Sequence, residues 1–116
     1  MPVYRFEHEN GLGPYTNLTY PCLKDLVNKG VPIHQGHEHP SDYEDLGRNI
    51  YLDEFCGFHK KSLISKWFTK KEINVLLQAG YKIKKYTPKS YIVGKSGKQC
   101  FFKKNDNEWH IHFGQL

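Results

Sequence analysis

The sequence predicts an α+β fold in a single compact domain, residues 1 to 116: an antiparallel or mixed sheet with two to three short helices. Three observations carry this. A chain of 116 residues and 13.6 kDa closes one hydrophobic core and rarely two. Alternating, β-prone segments gather at the start and in the last third, while helical spacing with caps fills the middle. Aromatic residues make up 15% of the chain, so its core is expected to be built largely of rings.

Val3 to His8 alternates, with Val3, Arg5 and Glu7 on one side and Tyr4, Phe6 and His8 on the other, and reads as the first strand. Asn10-Gly11-Leu12-Gly13-Pro14 breaks it with an ordered loop. Pro21 suits a first helical position, Leu23, Leu26 and Val27 fall at i, i+3, i+4, and Gly30 can stop the helix, which predicts a short helix over 21–29. Residues 31–48 are polar and punctuated by Pro32, Gly36, Pro40 and Gly47, which predicts a long loop of the kind that carries function. Ile50 to Phe58 is open between strand and irregular structure. Ser62 to Phe68 has helical spacing in Leu63, Ile64 and Trp67. Thr69-Lys70-Lys71-Glu72 is a capping box that starts a second helix with Ile73, Leu76 and Leu77 as its buried stripe and Gly80 as its end. Tyr81 to Thr87, Ser90 to Val93, Lys98 to Lys103 and Glu108 to Phe113 are strand candidates, with turns at Gly94 to Gly97 and at Asn105-Asp106-Asn107. An antiparallel sheet joins them most economically.

Charge is unevenly spread. Residues 1–58 hold 4 Lys or Arg against 9 Asp or Glu, whereas residues 59–116 hold 13 against 3. A basic second half suits nucleic acid, a nucleotide or an acidic partner, and equally suits lysines that keep an aromatic-rich domain soluble. Only two arginines occur, which weighs against sequence-specific DNA reading, because Arg is the usual bidentate reader of bases. Cys22, Cys56 and Cys100 form no Cys-x-x-Cys pair, so reduced thiols are expected in place of a disulfide framework or a cysteine zinc site. No apolar run reaches the ~20 residues of a membrane span and no secretory leader opens the chain, so a cytoplasmic protein without a membrane partner is expected.

Among chemistry-bearing clusters, His34, His37 and His39 with Glu38 are the densest set of metal-ligand types, but their spacing fits no standard motif, and a polar or active-site loop is the competing reading. His110 and His112 share one strand face and suit solvent as well as metal. No metal site is assigned. The chain holds no Gly-x-Ser-x-Gly elbow, no phosphate-binding loop ending in Gly-Lys-Ser/Thr and no dinucleotide Gly-x-Gly-x-x-Gly. Tyr81, Tyr86 and Tyr91 among lysines could stack on single-stranded nucleic acid, and serve a sheet core equally well.

Taken together, Tyr4-Arg5-Phe6-Glu7, Asn10 to Tyr15, His39-Pro40 with Asp42, Cys56-Gly57-Phe58, Trp67-Phe68, Gly80 to Ile83 and Val93-Gly94 with Gln99 and Phe102 resemble a family of small bacteriophage proteins. The order of these pieces is also similar to a minimal ADP-ribosyltransferase, with an early strand Arg, a middle Ser before a helix and a late acidic strand residue. That resemblance implies NAD as cofactor, with Arg5, Tyr15, His39 and Ser62 binding it and Gln99 and Glu7 in the catalytic positions. Gln99 stands where the acid is expected, and Lys60 where the serine aligns, with Ser62 two residues on. A neutral amide can hold a ribose hydroxyl but cannot offset the positive charge of an oxocarbenium-like transition state, so a transferase would need that charge from Glu7 or Glu108. Away from the resemblance, Arg5 reads as a strand arginine paired with Glu7 or Glu54, and Gln99 as a polar residue beside a turn.

Three functions follow. The first is a phage protein that binds NAD or a related nucleotide in the host cytoplasm and acts on a host or defence component. An alternative is a non-enzymatic inhibitor that uses its lysine-rich half against a host protein or nucleic acid. The third is a metal-dependent hydrolase built on the histidine loop.

Overall fold

The computed structural model describes residues 2–9, 11–15, 25–26, 40–103 and 109–112, the last four as backbone. Its six strands form two three-stranded antiparallel sheets. In the first, β3 (Lys82–Tyr86) lies between β1 (Val3–Glu7) and β6 (Trp109–His112), with Arg5 opposite Lys84 and Val3 opposite Tyr86. In the second, β5 (Cys100–Lys103) lies between β2 (Glu54–Gly57) and β4 (Ile92–Val93). A two-way backbone bridge staples the sheets: Tyr4 N donates to Phe58 O at 2.8 Å and Phe58 N to Tyr4 O at 2.7 Å.

Three helices are described along their whole length: α1 (Asp42–Leu46), α2 (Lys61–Trp67) and α3 (Lys70–Gln78). α3 begins at the predicted capping box, where Glu72 N donates to Thr69 Oγ1 at 3.2 Å and Thr69 N to Glu72 Oε1 at 2.7 Å. It is followed by Gly80 at φ +99°, a left-handed angle that costs a residue with a Cβ and suits glycine.

The alternation of β1 divides the interior in two. Phe6 and Ile83 point to α2 and α3, where they meet Phe58, Ile64, Trp67, Phe68, Ile73 and Leu76 in an apolar core. Edge-to-face ring pairs recur there, Phe6 with Phe68 at 5.3 Å and Phe58 with Trp67 at 5.6 Å. On the opposite side Val3 and Tyr86 pack with Cys100 and Phe102 of the second sheet. Arg5 and Glu7 share this second layer and are buried in it.

The elements match the predicted order, with two differences. The strands divide between two sheets, because β2 and β4 pair with β5 while β1 and β6 pair with β3. The loop expected over 31–48 holds α1: Glu44 N donates to Ser41 Oγ at 3.2 Å, Ser41 N to Glu44 Oε1 at 3.2 Å, and Gly47 at φ +75° closes the turn. A helix of five residues is too short to display an apolar period, and its capping box is the signal that betrays it. Of the helix expected over 21–29, Asp25 and Leu26 are described; both are helical and Leu26 joins the apolar core. The turn at 105–107 lies outside the described residues. No described helix is long and apolar enough to cross a membrane.

Candidate functional site

β1 places Arg5 on the face turned toward the second sheet, and burial there obliges its guanidinium to find partners. Arg5 Nε donates to Glu7 Oε2 at 2.9 Å, and Arg5 Nη1 to the Cys56 carbonyl at 2.8 Å. The Cys56 thiol lies 3.5 Å from the same nitrogen, and the Phe55 ring lies beneath the guanidinium at 5.2 Å. Glu7 is sealed from solvent. Tyr86 donates its hydroxyl to both Glu7 oxygens at 2.8 Å, and Lys84 Nζ lies 3.2 Å from Oε1. Burial, then the neighbouring Glu7 carboxylate, pushes the Tyr86 phenol well above its ordinary value, so it stays a donor.

Beside this cluster opens a cavity of about 270 Å³. Aromatic side chains, Tyr15, Phe55, Phe58, Trp67 and Phe68, form much of its wall, and Arg5, Asp42 and Gln99 contribute polar groups. Gly13 admits the guanidinium to this wall, since a Cβ there would lie 3.1 Å from Arg5 Nη2. Tyr15 is anchored by Trp67, whose indole N–H donates to the phenolic oxygen at 2.8 Å. Although Tyr15 keeps much of its surface exposed, burial of the phenol pushes it upward.

Gln99 precedes β5 and is 4% exposed. Its Nε2 donates to Asp45 Oδ2 at 2.8 Å and to the Pro40 carbonyl at 3.4 Å. Asp45, buried on α1, is held by neutral donors: besides Gln99 it accepts from Ser96 N at 2.8 Å and Ser96 Oγ at 2.9 Å. Gly94 leaves the room this needs, as a Cβ there would sit 2.6 Å from Asp45 Cγ. One helical turn back, Asp42 lines the cavity and makes no hydrogen bond or ion pair among the described residues. Burial raises its carboxyl above the usual value, opposed by the nearby Arg5 charge. Burial likewise pushes up the Cys56 thiol, again against Arg5, so that it remains a neutral wall group.

Of the residues singled out in the sequence, Arg5, Tyr15 and Gln99 come together on the cavity wall. Glu7 does not line the cavity; enclosed by Arg5, Lys84 and Tyr86, it holds the guanidinium and is spent on that pairing. This is the predicted Arg5–Glu7 pair, while Glu54 instead takes Arg48 in a two-pronged contact at 2.8 and 2.9 Å. Ser62 is exposed on α2 away from the cavity, and Lys60 occupies the helix N-cap without a side-chain cap bond. His39 and the rest of the histidine loop, Glu108, and the side chains of His110 and His112 lie outside the described residues, among which no cluster has the makings of a metal site.

Sequence reasoning missed the parts played by Asp42 and Asp45. The Ser41-x-x-Glu44 box followed by Gly47 would have placed both on one short helix, three residues apart and so on neighbouring faces.

No curated protein and no solved structure matches the chain. The family model described as Bacteriophage T4 Y00F protein matches residues 1–113, in accord with the phage resemblance and silent on the ADP-ribosyltransferase order. With nearly its whole length covered by that match, the chain belongs to the bacteriophage T4 Y00F protein family.

Proposed function

We propose that this phage protein takes NAD or a related nucleotide into the Arg5–Gln99 cavity, in an ADP-ribosyltransferase-like arrangement, and acts on a host or defence component in the host cytoplasm. The observation that supports this is the meeting of Arg5 and Gln99, 94 positions apart in sequence, on the wall of one aromatic-lined cavity. Rings offer stacking faces to a base, and Arg5 Nη2, which has no hydrogen-bond partner among the described residues, offers a donor to a phosphate or ribose oxygen. A volume of about 270 Å³ falls just below the range of roughly 300–1,000 Å³ usual for small-molecule sites, so in this reading the cavity takes one nucleoside half of a dinucleotide. The other half would lie across the rim.

Glu7 cannot reach a ligand in this arrangement, and Gln99 brings no charge. Asp42 is the carboxylate on the wall with no partner among the described residues, and any offset of developing positive charge falls to it. Calorimetry with NAD and with ADP-ribose tests the reading: saturable binding in the native protein and at least tenfold weaker binding in Arg5→Lys, which keeps a charge beside Glu7 but loses the guanidinium fork. Flat titrations at millimolar NAD end it. Incubation with labelled NAD and host lysate then reads transfer directly.

A binder without enzymatic activity is the second reading, supported by exposed Lys60, Lys61, Lys66, Lys70 and Lys71 along α2 and α3. Such binding would weaken steeply with salt.

A further inference from the structure

Helical spacing brings Lys61, Ser62, Ser65 and Lys66 to the exposed side of α2, with Ile64 and Trp67 buried behind them. On α3 the exposed side holds Lys70, Lys71, Asn74 and Gln78, with Ile73 and Leu76 buried. Both buried stripes enter the same apolar core, so both exposed stripes face away from it. Every one of these exposed side chains can donate a hydrogen bond, and none is acidic or apolar. Glu72 is the only acidic residue from His59 to Lys103, and it is buried in the cap with Thr69. Lys60, Lys61, Lys66, Lys70 and Lys71 make no ion pair among the described residues. A surface that only keeps a protein soluble mixes both signs of charge and sets its cations at helix C-terminal ends, where the dipole favours them. Here Lys60 and Lys61 flank the start of α2, and Lys70 and Lys71 open α3, at the positive ends of both dipoles. Those lysines cost helix stability, and no exposed carboxylate offsets them. Nothing within the fold compensates that cost, whereas an external polyanion would.

The composition of the face selects among polyanions. No large apolar side chain is exposed on either helix, both described in full, so the face lacks the apolar centre that anchors a protein partner. No ring is exposed on them for unpaired bases to stack upon. Both arginines are engaged elsewhere, Arg5 with Glu7 and Cys56 and Arg48 with Glu54, so no guanidinium reads a base pair here. No exposed carboxylate is present to accept from a ribose 2′-hydroxyl, which gives RNA no advantage over DNA. Contact with phosphates is what remains. We infer that the α2–α3 face binds the backbone of duplex DNA without regard to sequence, through Lys60, Lys61, Lys66, Lys70 and Lys71. The inference rests on the second, non-enzymatic reading above and names its partner; it does not depend on the cavity.

Fluorescence anisotropy with a short labelled DNA duplex, over a series of salt concentrations, tests this. Saturable binding is expected, with log affinity falling against log salt at a slope of about −3 to −4.5, roughly −0.9 for each phosphate held. Scrambling the duplex sequence should leave affinity nearly unchanged. Single-stranded DNA of the same length should bind several-fold more weakly, polyglutamate at least tenfold more weakly, and duplex RNA no more tightly than DNA. In the triple variant Lys61→Gln, Lys70→Gln, Lys71→Gln, affinity should fall at least tenfold and the slope should shrink by about 2–3. Its urea midpoint should hold level or rise, because cations have left the helix starts, and this separates lost binding from lost folding. The matched variant Lys89→Gln, Lys95→Gln, Lys98→Gln loses the same charge from exposed positions around β4 and should bind almost as the native protein does. Equal losses in the two triple variants would assign binding to net charge and overturn the role of the α2–α3 face. Tighter binding to single strands or to duplex RNA overturns the choice of partner. A flat titration with duplex DNA beside saturable binding to polyglutamate overturns the inference and leaves the binder reading standing; flat titrations with both remove that reading as well.

Discussion

The two sides of the first sheet are built on opposite principles. Toward α2 and α3 the sheet presents Phe6 and Ile83 to an apolar core of packed rings and aliphatic side chains. Toward the second sheet the same strands present Arg5, Glu7, Lys84 and Tyr86, which must satisfy one another by charge and hydrogen bonds before burial is tolerable. Apolar residues of similar volume would stabilise that layer as well or better, since a buried ion pair seldom recovers the full cost of desolvating its charges. A layer that sets a buried guanidinium and a partly buried ammonium on one carboxylate, beside a cavity, holds that guanidinium in place.

Removing the carboxylate puts this contrast to its hardest test. Glu7→Gln deletes no carbon and opens no void, yet leaves Arg5 and Lys84 short of a counter-charge in a buried site, at a cost of about 3–5 kcal/mol. Leu76→Ala, in the apolar core and fully buried, should cost about 2–5 kcal/mol by a cavity alone. Urea unfolding of both variants measures the pair. The variants should part company in binding: Glu7→Gln frees the guanidinium and lowers nucleotide affinity, whereas folded Leu76→Ala keeps it. A nearly neutral Glu7→Gln would show that Arg5 and Lys84 do not depend on Glu7, and the contrast between the two layers would dissolve.

The same contrast explains what could be read from the chain. The helix-side core was legible because one chemistry wrote it: Leu63, Ile64 and Trp67, then Ile73, Leu76 and Leu77, repeat at helical spacing, and the Thr69–Glu72 box marks the start. The alternation of Val3, Arg5 and Glu7 was legible as well, and so was the pairing of Arg5 with Glu7. Hidden was the meaning of that pairing, because Lys84 and Tyr86 reach Glu7 across a strand pair some 80 residues away in sequence. Asp45 was hidden for a similar reason. Its partners, Ser96 and Gln99, belong to a hairpin more than 50 positions downstream, and no local pattern announces a carboxylate satisfied by neutral donors.

An intermediate effect lies at the rim, where Glu54 accepts from both terminal nitrogens of Arg48 and from Tyr51 N at 2.9 Å. The hydrogen bonds from Arg48 hold its carboxyl down at about 2, against 4.5 for an ordinary glutamate. A carboxyl whose folded value is depressed adds stability that is fully present above the unfolded value and is lost as pH falls through the folded one. The window therefore runs from about pH 4.5 down to about pH 2. With the Arg48 side chain 32% exposed, solvent screening trims the contribution well below what the shift alone would give. Chemical unfolding at pH 7 and pH 3 should show native protein losing more stability on acidification than Glu54→Gln does. Equal losses would mean that the rim pair is a surface ornament, and that acid sensitivity belongs to the buried layer.

The smallest effect concerns the element that was least visible. α1 carries both Asp42 and Asp45 on five residues, too few to persist without help, and the Ser41–Glu44 box together with Gly47 supplies that help. Ser41→Ala removes the acceptor of Glu44 N, at a cost of about 1 kcal/mol or less, because the cap is exposed. Thr69→Ala breaks the equivalent box on α3 at a similar cost. Matched in stability, the two variants should differ in ligand affinity. Fraying α1 unseats Asp42 and the Asp45 that orients Gln99, whereas fraying α3 loosens only the apolar side, so Ser41→Ala should bind nucleotide several-fold more weakly than Thr69→Ala. Equal affinities would break the link between α1 and the cavity and would leave Asp42 as a bystander on its wall.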